Sequence, residues 1–408
     1  MKGFYSQSEL TPSKVHIPLL PRCGACKLHE TCISPKMPLY GEGKKKLLLV
    51  GEAPGEEEDK YNRPFIGRSG KYLRQKLKSL GIDMDVDCLV TNGAICRPKD
   101  NKIFDKAIEY CRPNLVRVVK ENKPRAIILL GKRAVQSLMG WLWKKDSGKS
   151  IERWVGWNIP CKQIDAWICP TWHPAYIGRV LNQEKGSGQV LERIFEKHIA
   201  KAVSLSDSTP SLSGSDTDLE SSVSRELDSR SAARMLAQIL EDDKPISFDY
   251  ETTTLLPEGK YARIVCCSVS NGSRTIAYPW TGDAVRATRD LLWSNIPKIG
   301  YNTKFEERWT KKEFGKGVRN WKWDGMLAAH TLDNRKGICS LKFQSFVRLG
   351  VPPYDEHIAP FLKADSANEP NRIEEVKLDK LLLYCGIDSY LEWKLAQVQM
   401  SEIGRKRM

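Results

Sequence analysis

One carboxylate, Glu52, stands in a glycine- and proline-rich loop that directly follows the apolar segment Lys46–Val50. The apolar segment predicts a buried strand, and the loop Gly51–Gly55 would lie at its carboxyl end, where α/β sheets bind ligands. Glycines allow a ligand to approach the backbone closely, and Phe65 in the following segment 63–70 offers an aromatic face. These residues indicate a pocket for a flat, polar ligand such as a nucleobase.

Two further polar side chains follow apolar segments and could complete such a pocket. Asn92 comes directly after Cys88–Thr91, and its amide can both donate and accept hydrogen bonds along the edge of a base. His173 follows the segment Ala166–Cys169 closely and can hydrogen-bond a developing negative charge. Taken singly, Asn92 could be a strand cap, His173 a buried structural histidine and Glu52 a surface carboxylate. Their occurrence together indicates a site.

A group of cysteines has the spacing of a metal site. Cys23 and Cys26 form a close pair, whereas Cys96 and Cys111 are single, distant thiols. This pattern suits four thiolate ligands around zinc or an iron–sulfur cluster, and the spacing does not choose between them. Cys32 is a nearby extra thiol that could replace one of the four. The other cysteines are interpreted as small buried hydrophobic residues: Cys88, Cys161, Cys169, Cys266, Cys267, Cys339 and Cys385.

The C-terminal half carries a second set of acidic residues. Asp249 and Glu251 are two residues apart in a predicted strand, so both would point to the same face of the sheet. Tyr384 precedes Asp388 by four residues in a predicted helix, again on one face. Carboxylates grouped in this way suit hard divalent cations, as in sites where two metal ions assist phosphodiester hydrolysis.

The first set of residues resembles the family 4 uracil-DNA glycosylases, the iron–sulfur class of that superfamily. Residues 51–59 and 63–70 resemble the first family motif, and Thr171–Ala175 resembles the second, His-Pro motif. Asn92 stands where the family places its base-reading asparagine. The resemblance covers roughly residues 20–202. It implies an enzyme that hydrolyses the N-glycosidic bond of uracil in DNA after the base has left the stack.

By the same resemblance, four residues would bind the base. Phe65 would stack on uracil, and Asn92 would match its O4 and N3–H groups. Gly51 and Ala53 would bring the loop backbone against it. Family 1 enzymes carry an aspartate where this chain has Ala53 and a thymine-excluding tyrosine where it has Gly55. Both differences are usual for family 4, so activity is expected, with thymine excluded by other groups.

Two residues would carry the chemistry. His173 would hydrogen-bond the charge that develops on O2 of the leaving base, and Glu52 would orient the attacking water and favour the cationic sugar. Within the acidic run Glu56–Asp59, only Glu58 is selected, by its alignment with the family motif, since such a run is usually a solvated face. The alternative function is a protein that senses uracil in DNA without releasing it.

The resemblance assigns a [4Fe–4S] cluster to Cys23, Cys26, Cys96 and Cys111, with zinc as the alternative. The cluster is expected to be structural, because hydrolysis of a glycosidic bond moves no electrons. Twelve cysteines in a chain expected to be intracellular also favour a metal or cluster site over disulfides.

The second set of residues resembles the DEDDy 3′–5′ exonucleases, the proofreading domains of family A DNA polymerases. The matches are Asp249 and Glu251 in motif I, residues 299–306 in motif II, and Tyr384 and Asp388 in motif III. The resemblance implies that Asp249, Glu251 and Asp388 hold two Mg²⁺ or Mn²⁺ ions and that Tyr384 orients the attacking water. Glu306 stands where the family has an aspartate, and it is expected to remain a ligand.

Charge favours a nucleic-acid partner. The formal net charge is +15, from 65 Lys and Arg against 50 Asp and Glu, which suits a polyanion. With the two resemblances, the expected partner is uracil-containing DNA, single- or double-stranded, together with a polymerase module or replisome proteins of a phage-type system. No apolar stretch is long enough to span a membrane, so a cytoplasmic location is expected, in a bacterial cell or a phage-infected host.

The elements that position these residues form two predicted α/β domains. Residues 1–202 alternate strands and helices, which predicts a parallel sheet and, by the resemblance, the three-layer α/β/α glycosylase fold. Residues 203–228 are rich in Ser, Asp and Thr and predict a flexible linker. Residues 229–408 begin with a helix and a strand meander, and their resemblance implies a ribonuclease H-like exonuclease fold with a mixed sheet.

Overall fold

Two sheets organise the chain, one on either side of a boundary near residue 211. The computed structural model describes residues 20–143, 150–183, 185–210 and 219–406. Within these residues each sheet belongs to its own unit and is packed in its own apolar core. Across the same residues, no helix combines the length and the apolar character that a membrane span requires.

The N-terminal unit alternates strands with helices, as the sequence predicts. Its elements are α1 (Cys23–Cys26), β1 (Leu47–Gly51), α2 (Glu56–Tyr61), α3 (Arg68–Lys78), β2 (Cys88–Asn92), α4 (Asp105–Asn122), β3 (Ala126–Leu130), α5 (Lys132–Leu142), β4 (Ile159–Cys161), β5 (Ala166–Thr171), α6 (Pro174–Gln183) and α7 (Lys185–Leu205). The strands β1 and β3 are apolar throughout and completely buried. Such runs are typical of parallel strands that are covered on both faces.

The strand order β2-β1-β3-β5-β4 sets the position of the predicted pocket. The first four strands are parallel, which confirms the predicted alternation, while β4 pairs antiparallel with β5 at the edge and lies outside the prediction. Pro160 lies in β4, and a proline is tolerated there because an edge strand has one side without ladder partners. The carboxyl ends of β1, β2 and β5 meet at one edge, at Gly51, Asn92 and Thr171.

The C-terminal unit has a mixed sheet with helices against it. Its elements are β6 (Ser224–Arg225), α8 (Ser229–Glu241), β7 (Ile246–Thr252), β8 (Ile264–Ser270), β9 (Thr275–Pro279), α9 (Gly282–Trp293), β10 (Lys298–Gly300), α10 (Lys304–Phe314), β11 (Trp321–Asp324), α11 (Gly325–Leu332), α12 (Leu341–Leu349) and α13 (Leu378–Lys406). The strand order is β11-β10-β7-β8-β9-β6. The strands β7, β8 and β9 form an antiparallel meander, and β10 and β11 run parallel to β7. This arrangement confirms the expected ribonuclease H-like sheet.

The long helix α13 packs across the central strands of this sheet. Asp249 and Glu251 lie on β7 opposite Ser268 and Cys266 of β8. Because α13 carries Tyr384 and Asp388, the packing of one helix on one strand joins the two predicted acidic motifs.

The predicted linker, residues 203–228, has structured ends. The helix α7 continues to Leu205, and β6 pairs with β9. Leu205 and Val223 are buried apolar side chains, which explains why the chain is ordered at both ends in spite of its polar composition. The centre of the segment, residues 211–218, lies outside the described residues, so its flexibility stays a prediction.

Candidate active sites

The carboxyl ends of β1 and β2 bring Gly51, Asn92 and Phe65 together. Gly51 pairs in register with Asn92, and both Asn92 and Phe65 are buried. A Cβ atom at position 51 would lie 2.3 Å from Asn92 Oδ1 and 2.7 Å from Phe65 Cζ. Only a residue without a side chain therefore leaves room for the amide and the ring at this edge of the sheet.

The backbone of Phe65 is held in an uncommon conformation. Its φ of 54° lies in the left-handed region, where a bulky residue is strained. A Cβ atom on Gly70 would lie 2.0 Å from the Phe65 carbonyl oxygen, so the glycine at 70 is needed for this turn. The Phe65 ring stacks at an interplanar angle of 29° with the His173 ring, with centroids 6.4 Å apart.

His173 lies at the start of α6, where its protonation can be assigned from a hydrogen bond. The Ala175 backbone N–H donates to His173 Nδ1 at 3.2 Å, so the proton of the neutral ring is on Nε2. Burial lowers the pKa of His173, although the nearby Glu52 carboxylate opposes that shift. His173 is therefore a neutral imidazole with an Nε2–H donor at neutral pH.

Glu52 lies against the N-terminus of α5. Its Oε1 atom accepts a hydrogen bond from the Arg133 backbone N–H at 3.1 Å. A Cβ atom on Gly131 would lie 2.5 Å from the same oxygen. The positive end of the helix favours a carboxylate here, and Ala53, which follows Glu52, is half-buried.

The acidic run of α2 connects the two loops of the pocket to the cysteine-rich segment. Glu58 Oε1 accepts a hydrogen bond from the Gly67 N–H at 3.0 Å, and a Cβ atom on Gly55 would lie 2.5 Å from Glu58 Oε2. Asp59 accepts hydrogen bonds from the backbone N–H groups of Ile33 and Ser34 at 3.0 and 2.8 Å. The buried carboxylates of Glu58 and Asp59 thus fix the geometry of the loops. The interpretation of the acidic run as a solvent-exposed helix face is therefore wrong for Asp59.

The four predicted cluster cysteines, Cys23, Cys26, Cys96 and Cys111, line one pocket. The Lys36 backbone N–H donates to Cys96 Sγ at 3.2 Å, and Asn114 Nδ2 donates to Cys111 Sγ at 3.4 Å. Burial raises the pKa of the Cys96 thiol to about 12 and also raises that of Cys111. Ionisation of these thiols therefore requires a bound cation.

In the C-terminal unit, Asp249, Glu251 and Cys385 present ligand atoms within 4.8 Å of one another. Burial, followed by the Asp388 charge, raises the pKa of Asp249 to about 7. Burial and the Asp249 charge likewise raise the pKa of Glu251. Bound divalent cations would displace such protons. The raised pKa values of Asp249 and Glu251 are therefore those expected of metal ligands without their metal ion.

Lys342 of α12 is a half-buried cation inside this group. Its Nζ atom pairs with Asp388 Oδ2 and donates to the Tyr384 hydroxyl at 2.9 Å. The Tyr354 hydroxyl donates to the other Asp388 oxygen. Burial by itself lowers the pKa of Lys342, but the carboxylates of Asp388, Asp249 and Glu251 together more than offset this, and the net shift is upward. A fixed positive charge therefore holds Tyr384 and Asp388 in place.

Glu306, the motif II residue, lies at the start of α10 and is 2% exposed. Burial and the charge of Asp249 raise its pKa, and its Oε2 atom has no hydrogen-bond partner among the described residues. The structure therefore brings Glu306 within electrostatic reach of motif I, in spite of the extra methylene.

Three residues that interact with the acidic site are not marked by any sequence motif. Lys342 and Tyr354 contact Asp388, and Glu392 interacts with the charge of Asp249. Glu392 follows Asp388 by one helical turn on α13, so helical periodicity could have found it. Lys342 and Tyr354 come from separate segments and carry no recognisable spacing. The sequence predicts Cys385 to be a small buried hydrophobic residue, and it is buried, with its Sγ atom 3.6 Å from the Asp249 carbonyl oxygen.

Comparison with known proteins matches each of the two units to a family. Residues 38–197 match the family model "Uracil DNA glycosylase superfamily", and residues 225–395 match the model "3′-5′ exonuclease". The type-4 uracil-DNA glycosylase of Pyrobaculum aerophilum is 34% identical over 169 residues, which span 40% of this chain and 82% of that protein. The Thermotoga maritima type-4 enzyme is 32% identical over 191 residues, which span 45% of this chain and 88% of that protein. The chain therefore belongs to the type-4 uracil-DNA glycosylase family through its N-terminal unit, which a 3′–5′ exonuclease domain follows.

Proposed function

We propose that the N-terminal unit hydrolyses the N-glycosidic bond of uracil in DNA. The observation that carries the proposal is the meeting of Glu52, Phe65, Asn92 and His173 around the carboxyl edge of one sheet. Because the reacting carbon is buried in duplex DNA, the base must first rotate out of the stack and enter a pocket. These four side chains provide the groups that such a pocket needs.

Phe65 and Asn92 would bind the base. The strained backbone of Phe65 fixes one ring face, which can stack on uracil. The Asn92 amide can donate to uracil O4 and accept from N3–H. Since Asn92 is buried, these hydrogen bonds would form in a low-dielectric environment, where a mismatched base edge is costly.

His173 and Glu52 would act on the bond that breaks. The neutral His173 ring can donate its Nε2–H to O2 of the base as negative charge develops there, and it needs no reorganisation to do so. Glu52 is oriented by the Arg133 N–H, and its remaining lone pairs can position the attacking water. Its negative charge also favours the cationic sugar of the transition state.

Gly51→Ala is expected to slow uracil excision by on the order of 10²-fold, because a misplacement of about 1 Å in an active site can cost this much. The added methyl group must displace the Asn92 amide or the Phe65 ring. Single-turnover formation of alkali-labile sites measures the effect. Gly178→Ala is the matched control, since nothing lies within 4 Å of a Cβ atom at that helical position. Equal rates for the two variants would contradict the proposed pocket.

We further propose that Cys23, Cys26, Cys96 and Cys111 hold a [4Fe–4S] cluster. Zinc, with Zn–S bonds of about 2.3 Å in a tetrahedron, would need sulfur atoms roughly 3.8 Å apart. In the described part of the chain, no three of these thiols lie within 4.8 Å of one another. A four-iron cluster fits better, because its iron and sulfide atoms separate the thiolates. The N–H groups directed at Cys96 and Cys111 suit such ligands.

Cys96→Ser is expected to lose its iron and its visible absorbance, because a serine hydroxyl is a poor replacement for a buried thiolate. Iron analysis and absorbance spectra of protein purified without oxygen measure both. Cys32→Ser is the companion variant: Cys32 interacts with Cys96 but lies outside the proposed ligand set, so its iron content should match the wild type. A colourless, zinc-loaded wild-type protein would contradict the iron–sulfur proposal.

For the C-terminal unit we propose metal-dependent hydrolysis of DNA from 3′ ends. Asp249 and Glu251, whose ligand atoms lie within 4.8 Å of each other, would bind Mg²⁺ or Mn²⁺ ions together with Asp388 and with Glu306, on which the Asp249 charge acts. Bound divalent ions would stabilise the entering and leaving oxygens of a phosphodiester. Tyr384, fixed by Lys342, would orient the attacking water.

Both proposed activities can be tested in one experiment. A 5′-labelled oligonucleotide with a single uracil is incubated with the full chain, with EDTA or with Mg²⁺, and is then treated with alkali. We expect an alkali-labile break at uracil in both conditions and a ladder of 3′-shortened products only with Mg²⁺. An oligonucleotide with thymine at the same position is the control.

Two outcomes would contradict the proposals separately. Tight binding of the uracil oligonucleotide without an alkali-labile product would identify a uracil sensor instead of a glycosylase. Intact 3′ ends with both Mg²⁺ and Mn²⁺ would leave the C-terminal unit as a DNA-binding module.

A further inference from the structure

We propose that Glu392 is an additional carboxylate of the metal site in the C-terminal unit, an inference that rests on the proposed exonuclease function. Glu392 lies on α13, four residues after Asp388, and side chains at this spacing lie on one face of a helix. Its side chain is 3% exposed. A glutamate with so little exposure needs a partner in the protein, a bound cation or a proton.

The charges around Glu392 place it between the predicted motifs. Asp249, Glu306 and Asp388 all act on it electrostatically, and these three residues belong to motifs I, II and III. Glu392 therefore lies within electrostatic range of all three motifs. Sequence spacing connects it only to Asp388, and its interactions with Asp249 and Glu306 arise from the tertiary packing of α13, which crosses the sheet.

The Oε2 atom of Glu392 is buried and has no hydrogen-bond partner in the part of the chain that the structure describes. The Oε2 atom of Glu306 is likewise buried and has no hydrogen-bond partner among the described residues. Two buried carboxyl groups that interact electrostatically, each with an unsatisfied oxygen, are costly. A cation shared by the two would satisfy both oxygens.

Lys342 does not remove this requirement. Its ammonium group is engaged with Asp388 and Tyr384, and it acts on Glu392 only as the last and weakest of the named charges. One ammonium group also cannot balance the ionised carboxylates of Asp249, Glu251, Asp388 and Glu392 together. Divalent cations would supply the further positive charge that these carboxylates need when they are ionised.

Glu392 also offers a reason why the motif II change can be tolerated. Glu306 is one methylene longer than the aspartate that the resemblance predicts at this position, so its carboxylate reaches a different point. Glu392, on which the charge of Glu306 acts, would supply further oxygen ligands for the same metal site. We infer that Glu306 and Glu392 act as a pair.

The test compares Glu392→Gln with Asp379→Asn in the full chain. Both variants replace one carboxylate of α13 with an amide, but Asp379 is exposed and pairs with Arg225 outside the site. Mn²⁺ alone is the probe, and its binding is measured by calorimetry without DNA. Loss of a residue that supports a metal ligand set typically costs 10–100-fold in affinity, so we expect about that loss for Glu392→Gln and no change for Asp379→Asn.

A structural role for Glu392 gives a different result. The metal-free melting temperature of Glu392→Gln should be equal to or above that of the wild type, because the amide replaces one of several buried carboxyl groups that repel one another when they ionise. A lower melting temperature together with unchanged Mn²⁺ affinity would overturn the proposal. If Glu392→Gln is poorly folded by circular dichroism, Glu392→Asp keeps the charge, and it should bind Mn²⁺ more weakly than the wild type.

The outcome is separable from that of the proposed exonuclease function. Wild-type digestion of 3′ ends with unchanged Mn²⁺ affinity in Glu392→Gln would overturn only the role of Glu392. Mn²⁺ binding that depends on Glu392, without any 3′-end digestion, would support the metal role and overturn the exonuclease function. Absence of Mn²⁺ binding by the wild type would overturn both.

Discussion

Asp249→Ala abolishes Mg²⁺-dependent digestion of 3′ ends, with an expected fall in rate of about 10³-fold or more. The physical reason is the position of Asp249 on the central strand β7, within 4.8 Å of Glu251 and in the field of Asp388. Metal ions contribute several kcal/mol of charge stabilisation to such reactions, and each 1.36 kcal/mol changes a rate about tenfold. Time courses with a 5′-labelled, uracil-free oligonucleotide measure the loss.

The same samples contain a control for the integrity of the chain. Uracil excision by Asp249→Ala should equal that of the wild type, since the proposed excision site is built from the N-terminal sheet. Asp290→Ala is the matched surface variant, because Asp290 is exposed and pairs only with the adjacent Arg289 among the described contacts. Digestion by Asp249→Ala at more than about a tenth of the wild-type rate would be incompatible with a metal ligand at this position.

Glu52→Gln is expected to slow uracil release by roughly 10²–10³-fold, the cost of removing one preorganised electrostatic group from an active site. The amide keeps the size of the side chain but loses the charge that would favour the cationic sugar. It can still accept a hydrogen bond from the Arg133 N–H at the start of α5, so the loop should keep its conformation. Single-turnover rates on a uracil oligonucleotide measure the effect.

His173→Asn tests the other side of the same bond. Asparagine can donate a hydrogen bond but is shorter, and it cannot reproduce the ring that stacks with Phe65. We expect a rate loss of about 10²-fold, with DNA affinity close to that of the wild type.

Glu57→Gln is the surface control for Glu52→Gln, because Glu57 is exposed on α2. Unchanged excision in both site variants would refute these roles.

Much of the fold follows from local sequence patterns. The apolar runs of β1, β2, β3 and β5 and the meander of β7 to β9 were predictable, because each run is long enough to mark a buried strand. The short strand β10 was not, since it begins with Lys298. That lysine is fully buried, and it is tolerated because its Nζ atom donates to the Ser294 carbonyl oxygen at 2.7 Å.

The candidate sites, like the fold, combine features that the sequence predicts with features that only the packing sets. Glu52, Asn92 and His173 follow predicted strands, and the topology of a parallel sheet requires that such positions share one edge. The tautomer of His173 and the strained turn at Phe65 depend on contacts with Ala175 and Gly70, which spacing along the chain does not reveal.

By itself the sequence determined the two α/β units, the residue types of both candidate sites and the order in which they occur. Periodicity and motif spacing carry this information because they report which side chains share one strand or one helix face. Only the tertiary structure decided that Lys342, Tyr354 and Glu392 join the acidic site of the C-terminal unit. The reason is that charge balance in a buried site depends on distances between segments far apart in the chain, and packing alone sets those distances.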